Sequence, residues 1–287
     1  MTGRDAEATR LVVQAADIDT PALKALAKLA GAERIDACSR SADQAFALMP
    51  AGNSTEVAAY CAQAALDCAI VAPRQRLDRV RLVAMDMDST LITIECVDEI
   101  ADMLGIRQTV AAITASAMRG EIDFRQSLTR RVALLAGLDV AALQRVYDER
   151  LELSPGAERL LAGMREVGAQ SLLVSGGFTF FTERLKARLG LDHTCANTLE
   201  IAGGKLTGRL TGPIVDAEAK AACFNRVRAA LVADGGLAVA IGDGANDLPM
   251  LEAADVSVAY HAKPVVRART TYAIDHCGLD AVLNLFV

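Results

Sequence analysis

Two short acidic clusters hold the residue types that could do chemistry in this chain. In AMDMDSTLI, residues 84–92, an apolar run ends in Asp86, skips Met87 and presents Asp88, Ser89 and Thr90. In AIGDGANDLPML, residues 240–251, a second apolar run ends in Asp243 between Gly242 and Gly244, with Asn246 and Asp247 beyond. A D-x-D by itself also occurs in turns and calcium-binding loops, and the second cluster by itself would serve as a turn and helix cap. The pair is harder to explain that way, because one cap does not need so many acids. Side chains alternate along a strand, so Asp86 and Asp88 start on the same side. Like charges brought together out of water require a cation or a proton. Asp86, Asp88, Asp243 and Asp247 would therefore form a hard, oxygen-rich site of the kind that magnesium prefers.

Two weaker signals accompany the acids. In VSGGFTFF, residues 174–181, Ser175, Gly176 and Gly177 stand where a strand should give way to a helix. A helix opened there would offer free N–H groups and a hydroxyl to a phosphate oxygen, although a plain N-cap would look the same. Lys220, in VDAEAKAACF at the start of another helical pattern, could supply the compact positive charge that a phosphoryl group needs beside several aspartates. A lysine on a helix surface is otherwise simply solvated.

The elements that must position these residues fall into two units. Residues 8–75 read as βαββαβ, with apolar strands such as ATRLVVQA and DCAIVA around the amphipathic TPALKALAKLAG and a helical stretch at 54–66. That order favours a ferredoxin-like split-βαβ sandwich over residues 1–78, followed by a polar linker at 73–80. From Arg81 the pattern is α/β: strands at 81–86, 171–176, 237–243, 256–260 and 272–275 alternate with helices, as in a doubly wound parallel sheet covered on both faces. In such sheets ligands bind at the carboxyl ends of the strands, where both acidic clusters stand. Helical patterns at 96–104, 107–119, 124–136 and 141–151 exceed what a crossover needs, so a helical cap at about 95–152 is expected inside the unit 79–287. LEIAGGKLTGRL, residues 199–210, reads as a hairpin turning at Gly203-Gly204.

In order and context these pieces resemble the haloacid-dehalogenase-like phosphohydrolases across roughly residues 80–280. The family's D-x-D-x-T corresponds to Asp86, Asp88 and Thr90, its second-motif serine to Ser175, its lysine to Lys220, and its G-D-G-x-N-D to Asp243, Asn246 and Asp247. Within the expected cap, ITIECVDEIA with Glu95 and AMRGEIDFRQSLTRRVALL with Met118, Gly120, Phe124 and Arg131 are similar to the branch that hydrolyses phosphoserine, at the end of serine biosynthesis. The resemblance implies a Mg²⁺-dependent, two-step transfer in which Asp86 is the nucleophile and Asp88 the general acid and then base. Ser175, Gly176 and Lys220 would hold the phosphate, and Asp86, the Asp88 main-chain carbonyl, Asp243 and Asp247 the metal. Arg131 would take the substrate carboxylate, Glu95 its ammonium, and Met118, Phe124 and Asn246 would complete the pocket. Without that context Arg131 and Glu95 would read as ordinary solvated cap residues, and Met118 and Phe124 as core.

The N-terminal pattern resembles the ACT-like small-molecule-binding modules, with VQAADIDTPAL standing where a glycine-rich turn would be. An edge strand there could pair with its twin in a homodimer. Lys and Arg total 30 against 36 Asp and Glu, which argues against a nucleic-acid partner met by bulk positive charge. The acidic start MTGRDAEATR and the lack of 18 uninterrupted apolar residues point to a cytoplasmic protein without a membrane partner. Seven cysteines with no C-x-x-C read as buried thiols of a reducing compartment. Two rivals share these features: a relative acting on another small phosphate monoester or acceptor, and a serine-sensing protein whose aspartate site is a metal-binding remnant.

Overall fold

The computed structural model describes residues 9–52, 54–232 and 235–287, so the first eight residues of the expected 1–78 unit lie outside the described residues. The N-terminal unit runs β1 (Arg10–Ala15), α1 (Thr20–Ala30), β2 (Arg34–Ala37), β3 (Gln44–Met49), α2 (Ser54–Gln63) and β4 (Asp67–Val71), the expected βαββαβ order. Its strands form one antiparallel sheet in the order β2-β3-β1-β4. Local chemistry sets α1: Asp19 accepts the Ala22 N–H at 2.7 Å, Pro21 opens the first turn, and Gly31 closes the helix at φ 62°.

The larger unit begins with β5 (Val80–Met85) and then leaves the sheet for the cap helices α3 (Cys96–Met103), α4 (Arg107–Met118), α5 (Phe124–Ala133) and α6 (Val140–Glu149). It returns through α7 (Ala157–Glu166), β6 (Gln170–Phe178) and α8 (Thr179–Leu189) to the hairpin β7 (His193–Ala202) and β8 (Lys205–Thr211). The chain then follows α9 (Ala217–Leu231), β9 (Leu237–Gly242), α10 (Leu248–Glu252), β10 (Val256–Tyr260), α11 (Pro264–Arg267), β11 (Tyr272–Ile274) and a 3-10 segment at Leu279–Leu285. The sheet order β11-β10-β9-β5-β6-β7-β8 puts β5 at the point where the winding reverses, between β9 and β6. All neighbours are parallel except the β7–β8 hairpin, which turns at Gly203-Gly204 as its sequence indicates. The hairpin also ties down the cap: Gly137 N–H bonds Leu206 O at 2.8 Å, and Val140 N–H bonds Gly204 O at 3.0 Å.

Two sequence expectations are corrected. Residues 175–177 do not open a helix: β6 continues to Phe178 and α8 begins at Thr179. The strand is held open there by the Asn197 side chain, whose amide N–H bonds Gly176 O at 2.8 Å while its oxygen takes the Val215 N–H at 2.8 Å. The polar stretch at 73–80 is not a free linker either. Gln75 is buried and its side-chain amide donates to Leu285 O, while its carbonyl accepts the Val287 N–H at 2.8 Å.

Those contacts belong to a broad junction between the units. One face of the N-terminal sheet carries Leu11, Val13 and Leu48 against Leu26 and Val57 of its helices. The opposite face places Val12, Ala69 and Val71 in the same buried cluster as Tyr272, Leu279, Val282 and Leu285. Asp67 clamps the seam by accepting the N–H groups of Asp275, His276 and Cys277 at 2.8, 3.1 and 2.9 Å. An Asp67→Ala chain would bury three donors without a partner, at roughly 1–3 kcal/mol for each that finds no water. We expect a fall of about 3 kcal/mol in unfolding free energy, read by urea titration followed by circular dichroism; a fall under about 1 kcal/mol would mean that water already satisfies the seam.

Candidate active site

The structure gathers the acidic residues at the carboxyl edge of the sheet, where β5 and β9 end side by side. Asp86 and Asp88 both keep extended backbone, at φ −68°, ψ 162° and φ −67°, ψ 136°, so the strand alternation carries past Met85 and both carboxylates point into one crevice. Ser89 then turns at φ 55°, reversing the chain, and its hydroxyl donates to Glu95 Oε1 at 2.8 Å. Gly242 lies so close to Asp247 that an added Cβ would stand 2.7 Å from its Oδ2, which is why glycine ends β9.

Lys220 is the hub. It lies one turn into α9, is 1% exposed, and its Nζ stands 2.8 Å from both Asp86 Oδ1 and Asp247 Oδ1. The solvated-lysine reading is thereby excluded. Asp86 Oδ1 also accepts its neighbour Met87's N–H at 2.7 Å, leaving Oδ2 without a hydrogen-bond partner among the described residues. Asp88 Oδ1 takes the Cys96 N–H at 2.9 Å, and its Oδ2 faces the Ser175 hydroxyl at 3.5 Å. Gly177 donates its N–H to Ser175 Oγ at 2.8 Å, and the Thr90 hydroxyl lies 3.3 Å from Asp243 Oδ1. Asn246 extends its amide to Asp247 Oδ1 at 3.4 Å.

Burial sets the protonation balance. Desolvation first, then the Asp247 charge, pushes the Asp86 carboxyl well above the usual carboxylate range, against the pull of Lys220. Asp88 is raised by burial, partly offset by the Cys96 N–H. Burial and Asp247 lift Asp243 to about 6, and burial and Asp88 lift Glu95 to about 7. Lys220 is raised as well: against the cost of its own desolvation, Asp247 and Asp86 hold its charge.

Asp86, Asp243 and Asp247 bring carboxylate oxygens within 4.8 Å of one another. An octahedral ion with donors at about 2.1 Å spaces them by roughly 3 to 4 Å, so a small hard cation fits this all-oxygen set after slight contraction. The Asp88 side chain is not one of that trio; its oxygens are turned to Cys96 and Ser175.

Above the acids, the cap supplies Glu95, Arg131 and Phe124. Arg131 faces Asp98, Glu95 and Asp88, yet makes no hydrogen bond or ion pair with any described residue, and its Nε is buried without a partner. The Phe124 ring reaches the main chain at Gly176, with its Cζ 3.2 Å from where a Cβ would stand. Met118 is not drawn in: it ends α4 with its side chain 72% exposed. Three residues that hold this site were given no role from the sequence. They are Ser89, which fixes Glu95, Asn197, which fixes Gly176, and Asp216, which caps α9 and pairs with Arg125 of the cap at 2.6 Å. The available signal was Asp216, an aspartate just ahead of a helical pattern and so placed to cap it.

The model for haloacid dehalogenase-like hydrolases matches residues 83–252, from the first acidic strand through the second cluster. The chain belongs to the haloacid dehalogenase-like hydrolases. A second model, described as a domain of unknown function (DUF4072), matches residues 11–57 of the N-terminal unit. Among the relatives of this hydrolase is a phosphoserine phosphatase of Polaromonas sp. strain JS666, 51% identical over 75% of this chain and 94% of that protein. The crystal structure of a probable phosphoserine phosphatase from Vibrio cholerae superposes with a TM-score of 0.84 at 34% identity, covering 98% of this chain and 87% of that one. A phospho-aspartyl intermediate analogue of phosphoserine phosphatase matches with a TM-score of 0.66 at 34% identity, over 72% of this hydrolase and 99% of that chain.

Proposed function

We propose that this hydrolase releases phosphate from phosphoserine through an aspartyl-phosphate on Asp86. The observation that carries the substrate assignment is the opposed pair over the aspartates. The Arg131 guanidinium, without a partner among the described residues, suits a carboxylate, and Glu95, whose charge it feels, suits an ammonium. A sugar phosphate would leave both unpaired, which disfavours it.

In this reading Asp86 attacks phosphorus with Oδ2, the oxygen that Lys220 and the Met87 N–H leave uncommitted. Lys220, Ser175 and the main chain at Gly176 face the phosphoryl oxygens, and Lys220 keeps Asp86 oriented while offsetting charge. Asp88, which burial biases toward its protonated form, gives its proton to the departing serine oxygen. Once ionised it removes a proton from the water that cleaves the acyl phosphate, as microscopic reversibility requires. A magnesium ion on Asp86, Asp243 and Asp247, with the Asp88 main-chain carbonyl, would supply the charge that lets two anions meet. Asn246 and Phe124 border the serine end; Met118 would need to move inward to join them.

Phosphate release from a panel of phosphoserine, a sugar phosphate and an aryl phosphate, with and without chelator, tests this. Phosphoserine should lead and the chelator should abolish turnover. Arg131→Ala should lower kcat/KM for phosphoserine by about 100-fold, the worth of a bidentate carboxylate contact, and change the aryl phosphate far less. Equal loss on both would assign Arg131 a structural role.

For the N-terminal unit we infer an ACT-like module, supported by its βαββαβ order and antiparallel sheet, in a cytoplasmic homodimer. No helix among the described residues is long and apolar enough to cross a membrane. In the N-terminal sheet β4 is covered by β11, whereas β2 is an edge with Ile35 39% exposed. Two β2 edges pairing across a twofold axis would give the dimer. Sedimentation velocity should then find a dimer that Ile35→Lys converts to monomer, and an unchanged species would place any interface elsewhere.

A further inference from the structure

Beneath the phosphate-facing side of the site lies a pair of thiols that the phosphohydrolase chemistry does not use. Cys195, on β7, and Cys223, on α9, pack in one apolar cluster with Leu172 and Val174, near enough for each thiol to act on the other. Both are free thiols; Cys195 is partly exposed, and Cys223 is buried but forms part of a cavity wall. That cavity, about 380 Å³, is bordered by Lys186, His193, Thr194, Cys223 and Arg226. Arg226 extends a guanidinium N–H to Cys223 Sγ at 3.4 Å. The contact with Cys195 and the Arg226 charge bring the Cys223 thiol down to about 7, while Cys195 holds its proton more tightly. A thiolate beside a cation, an adjacent second thiol and a solvent-filled approach are what a peroxide-reactive cysteine pair requires.

The position of the pair gives it a consequence. Cys223 is one turn beyond Lys220 on the same helix, and Cys195 is two residues before Asn197, which fixes Gly176 and the approach to α9. We propose that Cys195 and Cys223 are a redox-modification site, oxidised by peroxide to a disulfide that shifts α9 against β7 and lowers phosphohydrolase activity by displacing Lys220. In the first step Cys223 sulfur attacks one peroxide oxygen, an S–O bond forms, the O–O bond breaks and hydroxide leaves. Cys195 sulfur then attacks the sulfenic sulfur, forming S–S and expelling hydroxide, which takes the Cys195 proton as water. Closing two unbonded sulfurs to a bond of about 2.05 Å requires the side chains and backbones that carry them to shift by about an ångström or more. Misplacement on that scale is enough to lower turnover at least tenfold.

The other close pair, Cys61 on α2 and Cys68 on β4, is an internal control. The contact with Cys61 lowers the Cys68 thiol too, but Asp67 rather than an arginine stands beside it and opposes that shift. The test exposes the whole, magnesium-loaded chain to hydrogen peroxide, alkylates the remaining thiols and maps peptides by mass. In parallel, turnover of an aryl phosphate is followed before and after dithiothreitol. We expect a Cys195–Cys223 cross-link 2 Da lighter than the two reduced peptides, formed before any Cys61–Cys68 link, with a loss of at least tenfold that dithiothreitol reverses. Cys195→Ser and Cys223→Ser should each prevent the reversible loss. Both cysteines remaining alkylatable after peroxide, oxidation of Cys61–Cys68 first, or a full cross-link with unchanged turnover would each overturn the proposal. The mass result reads the dithiol whatever the natural phosphate ester proves to be.

Discussion

Replacing Asp86 by Asn is expected to lower turnover of phosphoserine by 10⁴-fold or more, on the order found when the attacking group of a covalent mechanism is removed. The amide is nearly the same shape and can still accept from Lys220 and Met87, whose donors stand 2.8 and 2.7 Å from Oδ1. Folding should therefore survive, and a thermal melt within a few degrees of the parent's separates chemical loss from collapse. The loss should fall on kcat for phosphoserine and aryl phosphate alike, because the nucleophile serves every ester, unlike Arg131. A variant retaining a tenth of parental turnover would remove Asp86 from the nucleophile's role.

The second large effect is expected at Lys220. Its ammonium is the one cation in direct contact with Asp86 and Asp247 among the described residues, and all three side chains are buried. Lys220→Met keeps the volume of the stem and deletes the charge. Breaking a buried ion pair from one side costs about 3–5 kcal/mol, because the remaining carboxylates lose their partner. Losing one preorganised positive donor from a phosphoryl site lowers turnover by a further 10²–10³-fold, on the order seen for oxyanion donors. The two effects separate on adding magnesium. A cation held by Asp86, Asp243 and Asp247 should restore much of the lost unfolding free energy in denaturant titrations, and little of the rate. A Lys220→Met chain as stable and active as the parent would mean that Asp86 and Asp247 are balanced by something else.

How far these residues could be found in the sequence depends on whether each signal is local. The acidic clusters were legible because an apolar strand running into an aspartate is unusual, and two such strands lead to one edge of a parallel sheet. The four cap helices, the hairpin at Gly203-Gly204 and the βαββαβ order were legible for the same reason, through periodicity and turn residues. Non-local relations were not. Nothing in VSGGF says that Asn197, some twenty residues on, will hold Gly176 in strand geometry, so the helix was expected too early. Gln75 looks like a linker residue until the chain's last residues return to bond it. Met118 is assigned to the pocket by resemblance alone, and at the last position of α4 it is largely exposed. That Arg131 is not an ordinary solvated cap charge shows in its buried, partnerless Nε, which only a three-dimensional arrangement can supply.

The most direct measurement is to find where the phosphoryl group goes. The chain is mixed with phosphoserine and magnesium, quenched in acid within milliseconds, reduced with borohydride and mapped by mass. An aspartyl-phosphate is reduced to homoserine under these conditions, so the peptide spanning residues 82–107 should lose 14 Da at Asp86 and at no other acid. Reduction at Asp88 or Asp243 instead, or full turnover with no reduced aspartate at any quench time, would contradict an Asp86 nucleophile.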